Sequence, residues 1–279
     1  MKKKTDGRWS SLRIILCISL CLCIIACGVI FGIRYFEKEP EKAPVIIGII
    51  DTGISENAID SDHVLEGKNY LDPSLSTEDT YGHGTAVASV ILKELPQAQL
   101  VPLVGNAYNK GKIEQVDNDV FAQMIRDAVD VYHCQIINVS MGLILDKTSI
   151  REAVTYAEEK GVLVVASAGN DYAEGGKLVY YPAAYETVLS VGSVNKSGTE
   201  ISDFSQRGDW VDIYACGEEM KIATLSGDTK DGEGTSYSAA IVTARAGRLL
   251  QNNPNLIPAE LREKLLDMCN TKNGIKILP

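Results

Sequence analysis

The sequence predicts an α/β domain built on a mostly parallel central sheet with helices on both faces. Apolar runs of strand length recur at Val45 to Ile50, Gln99 to Val104, Gln135 to Val139, Val162 to Ser167 and Val188 to Val194. They are continuous runs, as expected for strands covered on both sides. Helical patterns near Thr85 to Leu95, Val120 to Val131, Thr148 to Glu159 and Ser236 to Gln251 alternate with them. That alternation predicts parallel pairing with right-handed crossovers. The stretch from Val45 to Pro279 is 235 residues, the size of one large domain. After Asn252-Asn253-Pro254, Pro258 sits at a first helical turn and opens a closing amphipathic helix, Ala259 to Met268. Internal repeats are absent.

Asp51 ends the first apolar run, with Gly53 just beyond to turn the chain. His83 lies between Gly82 and Gly84 and opens the small, apolar run Thr85 to Leu92. Ser236 follows Gly232-Glu233-Gly234-Thr235 and opens Tyr237 to Ala244. Together these supply a carboxylate, an imidazole and a hydroxyl. A serine hydroxyl is a poor nucleophile near neutral pH. It needs an imidazole to take its proton and a carboxylate to hold that imidazole in the right tautomer. A nucleophile at a helix N-terminus also lies where unpaired N–H groups favour a developing oxyanion. A fourth element is Asn170, at the end of the strand-like run Val162 to Gly169, where its amide is placed to donate to the oxygen of a tetrahedral intermediate. His63 and His133 lack the glycine framing of His83 and are assigned no role.

In these residues and their order, the chain resembles the subtilisin-like serine peptidases, the subtilases, from about Val45 to the C-terminus. Further strings extend the match. Ile136 to Gly142 resembles the strand whose end, here Ser140, Met141 and Gly142, lines the pocket for the side chain before the scissile bond and hydrogen-bonds substrate backbone. Tyr181-Pro182 resembles a segment where the family often has a cis proline, and Phe204 to Gly208 also fits. Tyr180 aligns with the floor of the specificity pocket, where a large ring would favour small substrate residues. The resemblance implies that Ser236 attacks the scissile carbonyl of a peptide or protein, His83 shuttles the proton and Asp51 orients His83. Asn170 and the Ser236 backbone N–H would bind the oxyanion. Catalysis would require no metal. The family often binds structural calcium, but no loop here has ligand spacing specific enough to assign one. Ala240 and Ile241 stand where the family usually has proline and histidine, and Ala215-Cys216-Gly217 where it has Ala-Pro-Gly. These departures concern packing and turn rigidity and leave the chemistry intact.

The N-terminus predicts a membrane anchor. Lys2, Lys3, Lys4, Arg8 and Arg13 form a basic leader over residues 1–13, and residues 14–33 carry no charge, long enough for one spanning helix. Positive charge before the span predicts a cytoplasmic N-terminus and an extracytoplasmic chain from Arg34 onward, a single pass in the cell membrane. Two alternatives stay open. A cleaved secretory signal would have a shorter apolar region, whereas here it continues through Phe31 and Ile33. Ile24-Ile25-Ala26-Cys27 looks like a lipoprotein signal with Cys27 as the lipid carrier, although the chain stays apolar beyond it. All three place the domain at 45–279 outside the cytoplasm. The charged tether at 34–44 is too short for the folding propeptide that many secreted subtilases carry there, so a narrow cleft is expected to restrain activity instead.

The leader holds five basic residues against one acidic, so with −10 overall the remainder carries −14. That excludes a nucleic-acid partner. Cys134, Cys216 and Cys269 are odd in number and match no zinc spacing, so they are expected to act as buried small hydrophobes with at most one disulfide. A monomer is expected. The rival function is a catalytically idle subtilase-fold protein that binds peptides or a membrane partner through the same cleft. Within the enzyme class, the tether and the missing propeptide favour a dedicated processing protease over a general degrader.

Overall fold

The computed structural model describes residues 43–109 and 112–279. The basic leader, the apolar segment with Cys27 and nearly all of the tether lie outside the described residues. The chain divides into a unit from Met1 to Ala43 and a compact unit from Pro44 to Pro279. Among the described residues, no helix is long and apolar enough to cross a membrane.

The compact unit opens with β1 (Ile46–Asp51) and the short β2 (Lys68–Asn69), then α1 (His83–Glu94) and β3 (Gln99–Val104). A hairpin of β4 (Asn106–Asn109) and β5 (Lys112–Gln115) leads into α2 (Asn118–Asp130), β6 (Ile136–Val139), α3 (Thr148–Glu159) and β7 (Leu163–Ser167). One helical turn, α4 (Tyr172–Gly175), precedes β8 (Val188–Val194) and β9 (Ile213–Cys216). A second hairpin, β10 (Met220–Ala223) and β11 (Thr229–Gly232), is followed by α5 (Thr235–Asn252), α6 (Pro258–Asp267), β12 (Asn270–Lys272) and β13 (Ile275–Ile277).

The central sheet runs in the order β12-β13-β9-β8-β7-β6-β1-β3-β2. Its neighbours pair in parallel except β12 with β13. The expected strands and main helices are therefore present, with the predicted parallel pairing. β1 lies between β3 and β6, so the chain leaves it toward one edge and later returns to build toward the other. Such a reversal opens a crevice at the carboxyl ends of the strands, where ligands bind in open α/β sheets.

Each strand divides its side chains between two cores. Ile47 and Ile49 of β1, Leu163 and Val165 of β7 and Leu189 and Val191 of β8 face α1, α5 and α6. Ile50, Ile137, Val139 and Val164 face the other way, against Phe121, Met124 and Ile125 of α2 and Ile150 and Val154 of α3. This two-sided burial explains the continuous apolar runs in the sequence. Ala240 is fully buried and Ile241 packs partly buried against the same core, so both departures from the family pattern sit within an apolar helix face. The thiols of Cys134, Cys216 and Cys269 are free, and burial pushes that of Cys134 up to about 12.

Candidate active site

The carboxyl end of β1 delivers Asp51, which is 1% exposed. Its Oδ1 accepts the backbone N–H of Thr52 at 2.8 Å, which fixes the carboxylate at the strand end. His83 is the first residue of α1, after a left-handed Gly82 cap with φ of 101°. The His83 Nδ1 lies 2.7 Å from Asp51 Oδ1 and 2.9 Å from Oδ2. With Nδ1–H donated to the carboxylate, Nε2 is the nitrogen left to accept a proton.

Two threonines lock the strand end to the helix start. Thr52 Oγ1 accepts the Gly84 N–H at 2.9 Å, and Thr85 Oγ1 accepts the Ser55 N–H at 3.0 Å. Asp79 completes this frame. It is buried and accepts from the backbone N–H groups of Tyr81, Gly82 and Thr85 at 2.9, 2.8 and 2.9 Å, and from the Thr85 hydroxyl at 2.7 Å. The two motifs Asp51-Thr52-Gly53 and His83-Gly84-Thr85 thus carry threonines because the threonines tie each motif to its surroundings.

Burial alone would lower the pKa of His83, but the Asp51 charge and hydrogen bond, with Asp79 as a further negative charge, outweigh it and hold the imidazole above its ordinary value. The His83 imidazole is therefore more basic than a free one.

Ser236 is the second residue of α5 and is 5% exposed. Gly234 precedes the helix with φ of 148°, a conformation that side chains rarely adopt and that aims the first turn into the crevice. In that first turn the Ser236 N–H has no intrahelical acceptor. Tyr237 stacks against His83 with ring centroids 6.1 Å apart, so the helix that carries Ser236 flanks the imidazole. Among the described residues, His83 bonds to Asp51 and no hydrogen bond joins it to the Ser236 hydroxyl; catalytic hydrogen bonds are often long in unliganded sites.

Asn170 follows β7 and is oriented by Thr235. Its Oδ1 accepts the Thr235 N–H at 2.9 Å and the Thr235 hydroxyl at 2.8 Å, while the Gly169 N–H donates to Thr235 Oγ1 at 3.2 Å. With the oxygen held this way, the Nδ2 amide of this exposed side chain is left to donate into the crevice. Asn170→Ala removes that donor and is expected to lower kcat by about 10²–10³ with little change in KM, measured by steady-state peptide hydrolysis.

The remaining sequence candidates converge on the same edge. Ser140 Oγ accepts from Asn138 Nδ2 at 3.1 Å, and Asn138 Oδ1 accepts from Thr243 of α5 at 2.9 Å, so the strand end is braced by the nucleophile's helix. Met141 is buried. The Tyr180 ring lies against Gly142 and Gly169, where a β-carbon would come within 3.1 and 2.6 Å of it. Tyr180 therefore occupies the space between the two strand ends, and its hydroxyl donates to Asp171 at 2.6 Å. The Tyr181-Pro182 peptide bond is cis. The roles of Asp79, Thr235 and Tyr237 are not legible in the sequence. Their signal was proximity in sequence to His83 and Ser236, and burial of the polar pair Asp79 and Thr235 distinguishes them from ordinary loop residues.

A carboxylate, an imidazole and a hydroxyl so placed on a parallel α/β sheet, with an amide donor opposite, form the arrangement of an acyl-transfer serine hydrolase. The Subtilase family model matches residues 42–277. The chain is 30% identical over 233 residues to the Minor extracellular protease Epr of Bacillus subtilis (strain 168), covering 78% of this chain and 34% of that protein. It is 31% identical over 238 residues to the Thermophilic serine proteinase of Bacillus sp. (strain AK1), covering 82% of this chain and 57% of that one. A solved cold adapted subtilisin-like serine proteinase superposes with a TM-score of 0.71 at 27% identity, over 84% of this chain and 88% of that chain. The chain belongs to the subtilase family. It spans about a third of one of these two sequence relatives and a little over half of the other.

Proposed function

We propose that the chain is a membrane-anchored, extracytoplasmic serine endopeptidase that cuts a restricted set of peptide bonds. The single observation that carries the chemistry is the contact of His83 Nδ1 with both oxygens of a buried Asp51, at the crevice edge that also holds Ser236 and Asn170. His83 takes the Ser236 proton as Oγ attacks the carbonyl, and the oxyanion meets the Asn170 amide and the Ser236 N–H. The imidazolium, stabilised by Asp51, then protonates the leaving amine. Water, activated by the same imidazole, hydrolyses the acyl-enzyme. These steps use no metal, and a monomer suffices for them.

The membrane reading rests on the basic leader and the uncharged segment 14–33. The restricted role is supported by Tyr180, whose ring lies against Gly142 and Gly169 and on this reading narrows the pocket for the substrate side chain. A fluorophosphonate probe is expected to label the 279-residue chain at Ser236, and absence of labelling in a folded sample would favour an idle binder instead. A peptide library should show few cuts, all after small residues, whereas broad cutting would remove the dedicated role. In the same library, Tyr180→Ala is expected to raise cleavage after large apolar residues by about 10-fold or more.

A further inference from the structure

Two recesses flank His83, and Tyr81 belongs to both. The first, about 180 Å3, is bounded by Asp51, Ser140 and the β4–β5 hairpin, where Tyr108 stacks on Tyr81 at 5.1 Å. The second, about 200 Å3, is bounded by Tyr81, His83, Ala86, Ile222, Lys230 and Tyr237. Ser140 borders the first recess and not the second. On the proposed mechanism, the acyl half of a substrate lies along the strand end Ser140 to Gly142. That leaves the second recess, beside the imidazole that protonates the departing amine, for the leaving half.

The two recesses differ in charge. The first contains the Asp51 carboxylate, already engaged by His83. In the second, among the described residues, Lys230 is the one lysine or arginine in the lining. The neighbouring pair Lys221 and Asp231 neutralise each other at 2.7 Å, while among the described residues Lys230 has no ion-pair partner. Besides Tyr81 and His83, Tyr237 lines the recess and carries a hydroxyl. Burial, with the Asp51 charge, pushes its pKa up to about 12, so it stays a neutral donor. A cation and neutral donors over an apolar wall of Ile222 and Ala86 suit a carboxylate on a short stem.

We propose that this recess selects substrates carrying a carboxylate just after the scissile bond, read by Lys230 with the Tyr237 hydroxyl. The carboxylate has two sources: an Asp or Glu side chain, or the free C-terminus of a short leaving segment. The inference rests on the peptidase reading above.

The test uses the 279-residue chain with quenched peptides identical except for Glu, Gln or Lys in the first two positions after the cut. A second series ends the leaving segment there as a free acid or an amide. Fluorophosphonate labelling of Ser236 is measured for every variant. Wild type should process Glu peptides, free acids or both with kcat/KM about 2- to 5-fold above their neutral counterparts, an advantage that shrinks at high salt. Lys230→Met should erase the difference and Lys230→Glu reverse it. The series that responds identifies the source. Equal rates for Glu, Gln and Lys and for acid and amide, with labelling intact, overturn the inference and leave the peptidase reading standing. No labelling of folded wild type overturns both. If the Lys230 variants do not fold, the wild-type ratios and their salt dependence still decide.

Discussion

Ser236→Ala lowers peptide hydrolysis by on the order of 10⁶ in kcat, the scale known for loss of the nucleophile in subtilisin, and eliminates fluorophosphonate labelling. The substitution removes one oxygen at a nearly closed helix start, where the neighbouring Thr235 is fully buried and held by Asn170. The thermal midpoint should therefore stay close to wild type, and KM should change little because the strand-end contacts remain. Residual hydrolysis above the uncatalysed rate should persist, since Asn170 and the helix amides still bind an oxyanion. Unchanged turnover with a fold confirmed by circular dichroism would remove Ser236 from the chemistry.

Asp51→Asn is expected to lower kcat by about 10⁴ through a different route. Asparagine keeps the shape but offers an amide donor as well as an acceptor to Nδ1, so the imidazole is no longer held in the productive tautomer. Its pH profile should move too. Turnover needs neutral His83, so the acid limb of kcat/KM tracks the imidazole, which Asp51 holds above its ordinary value against the pull of burial. Without that charge, burial prevails and the limb shifts to lower pH. Stability follows the same linkage. A folded-state pKa above the unfolded one means that the pair stabilises the native state fully below the unfolded imidazole's pKa. That contribution fades as pH rises through the raised folded value. The His83 side chain is 27% exposed, so solvent screens part of the effect. A limb that stayed in place in Asp51→Asn would mean that some other group sets the profile.

The central strands were legible because burial on both faces leaves no alternation to misread, and Asp51, His83, Asn170 and Ser236 were legible because each stands where a strand ends or a helix begins. The hairpins were not. β5 is exposed throughout and half of the residues that pair between β10 and β11 are exposed, so neither hairpin writes an apolar run into the sequence. The short β9 and the edge pair β12 and β13 depend on neighbours far away in the chain. Asp79 was missed for a related reason. Its four donors satisfy a buried carboxylate, and from sequence alone such an Asp looks like any turn residue. The recess beside Lys230 joins α1 to the β10–β11 hairpin, a juxtaposition that only the folded chain creates.

The position of β1 inside the sheet, between β3 and β6, also bears on when the proposed site is assembled. Asp51 and His83 are 32 residues apart and meet early in the chain, whereas α5, which brings Ser236, starts at Thr235 and must pack against β6, β7 and β8 as well as α1. During synthesis from the N-terminus, Asp51 and His83 are made long before Ser236. On the proposed mechanism a nascent chain therefore carries no cutting capacity until α5 has been made and has docked. On that mechanism, assembly order supplies a delay that protects the chain from premature cleavage.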